Sequence, residues 1–256
     1  MRKFLYFIYG FTGYLAFLGV FLYMAAFVGN LWITNSIDGA SVGGFWGSLA
    51  IDLSLVALFG LQHSVMARPG FKQWWTKIVP KPIERSTYVW FTNAAVLLLI
   101  WQWRPLGGMV WTVENETARA VLWTLFGAGW LGVVATTHLI NHFELFGLSQ
   151  VYNYLRGRDL QPARFVTPGP YKRVRHPLYV CWLVAFWATP TMSLAHLAFA
   201  AGMTAYILIA IRFEERDLAA YHGPVYIRYR NHVPMLVPKF GKAVDAQTLE
   251  PEEATV

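Results

Sequence analysis

A chain of 256 residues that is 56% hydrophobic and only 14% charged is not an ordinary soluble domain, for which about 25% charged residues are usual. Its formal charge of +7 sits beside apolar runs, where cations set topology and hold anionic lipid, so nucleic acid is not the expected partner. The one cysteine, Cys181, lies in an apolar stretch, which excludes an intramolecular disulfide and a zinc site built from paired thiolates.

The first apolar run, residues 4–28, is long enough to cross a ~30 Å hydrocarbon core as a helix. It is too long for a signal-peptide core and lacks a small-residue cleavage site, so it reads as a retained span. Further spans are expected at 45–66, 88–103 and 120–140, separated by Arg, Pro, Gly and Asn. The stretch 178–211 exceeds one span and is broken at Thr189-Pro190-Thr191, which predicts a hairpin of two helices, the first rather short. The expected fold is therefore all-α and polytopic, with about six spans and no separate soluble domain. Residues 1–240 form one domain, and a polar tail at 241–256 is expected to be disordered.

The cations support this order, because basic residues prefer cytoplasmic loops. Arg2 and Lys3 precede the first span; Arg68, Lys72, Lys77, Lys81 and Arg85 follow the second; Arg156, Arg158, Arg164, Lys172, Arg173 and Arg175 follow the fourth. All fall on one side, so both termini are expected in the cytoplasm, with the protein in a bacterial inner membrane. Trp74, Trp75, Trp101, Trp103 and Trp111 cluster near span ends, as interfacial anchors do.

The stretch 167–179 is rich in Pro and cations and leads straight into a span. Pro177 suits the first position of a helix, whose free N–H groups beside Arg175 and His176 would attract a carboxylate or phosphate. Alone, the stretch reads equally well as a basic loop that touches lipid heads. A second cluster, Arg212-Phe-Glu-Glu-Arg-Asp217, ends the last span. Its Glu214 and Glu215 suit ribose hydroxyls or a cationic ligand, and equally an ion-pair network along the helix.

Together the two clusters resemble the isoprenylcysteine carboxyl methyltransferase-like superfamily of membrane enzymes that use S-adenosylmethionine. The resemblance covers about residues 160–238 and rests on Gly169-Pro-Tyr171, Arg175-His-Pro-Leu-Tyr179, the Glu pair, Gly223, Tyr226, Tyr229, Pro234 and Pro238. It implies a cytoplasmic cofactor pocket within 156–238, covered by the segment after the last helix. Tyr171, His176, Pro177, Leu178, Tyr179 and Glu214, with Arg164, Phe165 and Val166 just before, are then the expected cofactor contacts. Where that family usually has glycine after His-Pro, this chain has Cys181.

The amino-terminal half is similar to a bacterial branch of that superfamily that includes methanethiol S-methyltransferase, through 59–68, Glu84-Arg-Ser-Thr-Tyr88 and 137–147. The implied reaction is displacement at a sulfonium methyl group by a small thiol, which must lose its proton to become an effective nucleophile. His63, His138 and His142 are candidate bases, and Arg85 a candidate stabiliser of the anion. His138 and His142 stand four apart, with Glu144 close behind, a spacing that leaves open a metal site, polar packing or substrate chemistry; two histidines lack the third ligand usual for catalytic zinc, so no metal is expected. Asp52, deep in the second span, needs a partner. Apart from the thiol and lipid, no obligatory partner is expected. Alternatives are a prenylated cysteine carboxylate or lipid head group as substrate, or a binding or transport protein on the same scaffold.

Overall fold

The computed structural model describes residues 1–159 and 165–238, so the tail at 241–256 and candidate Arg164 lie outside the described residues. The chain runs α1 (Arg2–Gly29), α2 (Phe45–Ala67), α3 (Pro69–Trp75), α4 (Lys81–Gln102), β1 (Met109–Thr112), α5 (Glu116–Ile140), α6 (His142–Leu145) and α7 (Leu148–Arg156). A 3-10 turn (Gly169–Lys172) then leads to α8 (Pro177–Trp187), β2 (Thr191–Ser193), α9 (Leu194–His222) and α10 (Pro224–His232). This is an all-α membrane protein. Among the described residues α1, α2, α5 and α9 are long and apolar enough to cross a bilayer.

The helix boundaries follow local chemistry. Pro177 stands at the first position of α8, where its missing N–H costs nothing. Asn115 accepts a hydrogen bond from Ala118 N at 2.9 Å and Ser193 one from His196 N at 3.0 Å, capping α5 and α9. Replacing Asn115 by alanine should therefore lower stability by about 1 kcal/mol with activity unchanged, read by thermal unfolding in detergent.

Two features differ from expectation. The third apolar helix starts at Lys81, well before residue 88, because Ser86, Thr87 and Asn93 are buried polar positions against α1 and α7 that apolarity does not reveal. The break between α8 and α9 carries a strand, β2, antiparallel to β1, with Trp111 opposite Met192 and Thr112 opposite Thr191. The first helix of the expected hairpin is short, as predicted: α8 has 11 residues, about 16 Å of helix, much less than a hydrocarbon core.

The core is aromatic: Phe27, Trp103, Phe186 and Phe199 meet edge to face beside Trp130. Small residues permit close helix contact. On α5, Gly129 meets the backbone of Ala185 and Gly132 meets Cys181, so α8 lies directly along α5. With α4 and α8 counted, successive helices alternate in direction, so α2 and α9 end together at Arg68 and Asp217, and α1 ends where α9 begins, at Asn30, Asp38 and Ser193. One end of the bundle gathers Lys3 over the Tyr154 ring, the Arg68–Asp217 pair at 2.8 Å and the Arg175–Glu215 pair at 2.7 Å. The other gathers the β-pair and Asp38, which bonds Asn30 and Ser193. There Asp52 finds its partner: its carboxylate accepts the backbone N–H of Arg104 at 2.9 Å.

Candidate active site

About two turns before α9 ends, Glu214 and Glu215 turn to different partners, as adjacent positions on a helix must. Glu215 Oε1 accepts from Arg175 Nε at 2.7 Å and lies 3.0 Å from His176 Nε2. Glu214 Oε2 accepts from the Tyr179 hydroxyl at 2.8 Å. The expected contacts Tyr171, His176, Pro177, Leu178, Tyr179 and Glu214 therefore do converge, at the start of α8.

Arg175 is not the free cation that an anion pocket would use. Its guanidinium also donates to the carbonyls of Arg230 and Val233, while the backbone N–H groups of Arg175 and His176 donate to Pro234 and Met235 carbonyls at 2.9 and 3.2 Å. It is a strut that binds the segment after α10 to the start of α8. What remains for an anion is the start of α8 itself, since helix geometry leaves the N–H groups of Leu178 and Tyr179 without intrahelical acceptors.

The cap over this region is aromatic. Phe165 packs against Tyr226, Tyr229 and His222, and the Tyr229 hydroxyl donates to the Tyr171 carbonyl at 2.6 Å. Val166 is exposed. The Tyr226 hydroxyl is buried and has no hydrogen-bond partner among the described residues. Burial, and after it the Glu214 carboxylate, raises the Tyr171 phenol above its ordinary range, so it stays a proton donor at neutral pH. Glu215, Tyr226 and Tyr229 were present in the sequence motifs, yet nothing in the motif separates a strut from a ligand contact.

The four catalytic candidates fall into two groups. His63 and Arg85 flank Tyr88: the Tyr88 hydroxyl is 2.8 Å from His63 Nε2, and the Arg85 guanidinium lies over the Tyr88 ring at 5.1 Å while its Nε donates to the Leu145 carbonyl. Tyr88 and Tyr206 are near enough to Tyr179 to interact electrostatically, which joins this group to Glu214. Tyr88 closes the Glu84-Arg-Ser-Thr-Tyr88 motif but was not among the expected site residues, because the motif does not tell which of its members meets His63.

His138 and His142 do not share one continuous helix, because the chain breaks at Asn141, which caps α6 with its side chain. Their rings nonetheless stack with centroids 4.0 Å apart. Among the described residues no three of His, Cys, Asp and Glu come together as a metal site.

Hydrogen bonds assign the tautomers. Thr137 Oγ1 donates to the Val134 carbonyl at 2.7 Å, so at 2.8 Å from His142 Nδ1 it must accept. His142 therefore carries its proton on Nδ1, and its Nε2 accepts from the Tyr14 hydroxyl at 2.9 Å. His63 repeats the pattern: Thr92 donates to the Tyr88 carbonyl at 3.0 Å, accepts from His63 Nδ1 at 3.3 Å, and Tyr88 serves Nε2. In both, each ring nitrogen is already engaged. Burial, then the His138 ring, also holds the His142 imidazole below its ordinary range, which favours the neutral form.

No family model and no solved structure matches the chain. Among curated proteins, it is 48% identical over 235 residues to the methanethiol S-methyltransferase of Crocosphaera subtropica, covering 92% of each chain. It is 48% identical over 238 residues to the methanethiol S-methyltransferase of Mycobacterium tuberculosis, covering 93% of this chain and 98% of that one. Nurim of Mus musculus is more distant, 31% identical over 180 residues, covering 67% of this chain and 68% of its own.

Proposed function

The chain belongs to the methanethiol S-methyltransferase family, the bacterial branch of the isoprenylcysteine carboxyl methyltransferase-like superfamily, and we propose that it methylates methanethiol to dimethyl sulfide with S-adenosylmethionine as donor. The observation that carries the donor is the convergence of Tyr179 and Glu214 at the start of α8. S-adenosylmethionine, when bound, supplies an electrophilic sulfonium methyl group.

The residues fit such a molecule. The Leu178 and Tyr179 N–H groups suit its carboxylate. Glu214, which among the described residues bonds a tyrosine and no cation, can accept ribose hydroxyls. The unpartnered Tyr226 hydroxyl offers one more buried donor under the cap. Residues 156–238 would form the cofactor part of a single domain spanning 1–240.

Protein and lipid together keep water away from the reacting groups. Thiolate and sulfonium become two neutral thioethers, so charge disappears in the transition state and a dry site favours reaction. His63, Arg85, His138 and His142 are the groups available to promote loss of the thiol proton.

The same reading places α4 and the short α8 beside the four long helices as crossings, six in all, supported by the alternating helix directions and the β-pair that lines the far end. The basic end then faces the cytoplasm, with both termini, in a bacterial inner membrane.

Calorimetric titration with S-adenosylhomocysteine tests the site. Glu214→Ala should weaken binding roughly tenfold or more by removing a charge-assisted acceptor. His176→Ala should weaken it as well, through the lost contact with Glu215. Folded variants that both keep wild-type affinity would refute the assignment. Headspace assay of dimethyl sulfide from methanethiol tests the substrate.

A further inference from the structure

Beside the paired histidines lies a cavity of about 160 Å³ between α1 and α5, small against the roughly 300–1,000 Å³ of pockets for drug-sized ligands. Its walls are mostly apolar, with Phe17, Leu18, Phe21, Val133, Val134 and Phe146 among them. Polar atoms come from Tyr14, Thr137, His138 and His142 alone. The size suits a thiol of a few heavy atoms and leaves no room for a long isoprenoid chain. Resting on the methanethiol reading, we propose that this cavity binds the thiol and that His138 Nε2 takes its proton.

The hydrogen bonds single out that atom. Tyr14 and Thr137 occupy the two nitrogens of His142, and Tyr88 and Thr92 those of His63. His138 Nδ1 lies 2.8 Å from the Val134 carbonyl, which can only accept, so the ring's proton sits on Nδ1. Its Nε2 keeps a lone pair and has no hydrogen-bond partner among the described residues. The stacked His142 has both nitrogens engaged, and burial favours its neutral form, which lessens repulsion of a proton arriving on His138. The titratable groups that face His138 are His142 on α6 and Tyr14 on α1; Glu144 on α6 is bonded to Asn141.

The cavity also adjoins the donor site. Next to His138, Leu139 abuts Gly169 in the turn that carries Tyr171. Phe21, another wall residue, packs edge to face on Trp182 of α8, one turn beyond Tyr179. In the step, the thiol S–H bond breaks and its proton passes to His138 Nε2. The sulfur pair forms the new S–C bond while the C–S bond of the sulfonium breaks, its electron pair staying on the donor sulfur. One neutral thiol, one sulfonium and one neutral imidazole yield two thioethers and an imidazolium, which passes its proton to solvent at the end of α5, two residues on, once the products have left.

The experiment compares purified wild type with His138→Gln and Leu18→Phe. His138→Gln should lower kcat/KM for methanethiol about 10²-fold or more while S-adenosylhomocysteine binding is unchanged. Its residual rate should climb tenfold per pH unit up to the thiol pKa, because only preformed thiolate then reacts, whereas the wild-type rate should depend less steeply on pH. Leu18→Phe should raise KM for methanethiol at unchanged cofactor affinity and tests the cavity even where His138→Gln fails to fold. Active wild type with indifferent variants, or loss of S-adenosylhomocysteine binding in folded His138→Gln, overturns the assignment alone. Wild type that binds S-adenosylhomocysteine and forms no dimethyl sulfide overturns the substrate reading with it.

Discussion

Glu215→Ala is expected to cost about 3–5 kcal/mol of stability, the range found when one partner of a buried ion pair is removed. The Arg175 and Glu215 side chains are only 12% and 13% exposed, so water screens neither well. After the change, Arg175 keeps two backbone carbonyls but has no counter-charge, and His176 loses its acceptor. The segment following α10 is tied to α8 through these groups, so the loss should spread from the ion pair to the whole cap. Denaturant or thermal unfolding in detergent reads the first effect, and S-adenosylhomocysteine affinity the second. Replacing both partners, Arg175→Met with Glu215→Leu, should recover much of the stability, because no charge is then left buried. It should not recover cofactor affinity, since the cap would no longer be held in register over Tyr179. Equal stability in the single and double variants would mean that the pair is not what holds the cap.

The contrast between Glu214 and Glu215 shows how far sequence reaches here. Both residue types, and their position at the end of the last span, were legible. Which carboxylate serves as strut depended on the rotation of α9 against α8, a tertiary quantity. The same holds for the histidines. His63, His138 and His142 stood out as ionisable groups near apolar spans, but their tautomers depend on Thr92 and Thr137 donating their own protons to backbone carbonyls. No spacing rule encodes that. The four long apolar helices were plain from hydropathy, whereas the early start of α4 was hidden by buried serine, threonine and asparagine.

Cys181 is a further instance. It stands at a position where a glycine would leave room for close approach of helices. The structure supplies the missing space from the other side: a Cβ on Gly132 of α5 would stand 2.7 Å from the Cys181 Sγ. A glycine on either partner permits the approach, and one chain read alone does not reveal which partner will face the other.

That close contact leads to the second large effect. Gly129, one turn before Gly132, has no room for any side chain: a Cβ there would lie 2.6 Å from Ala185 N and 2.9 Å from its Cα, both backbone atoms that no rotamer change can move. Gly129→Ala should therefore cost about 1–3 kcal/mol through overpacking, and Gly129→Leu more. Gly127, two residues earlier on the same helix, has nothing within 4 Å of its Cβ position, so Gly127→Ala should be neutral or raise stability by about 0.5–1 kcal/mol through helix propensity. The pair separates packing from propensity within one helix. It also reaches function, because α8 pushed away from α5 carries Leu178 and Tyr179 with it. S-adenosylhomocysteine affinity should then fall in Gly129→Ala and hold in Gly127→Ala. Matching stability and affinity in the two variants would show that the α5–α8 contact neither limits packing nor positions the start of α8.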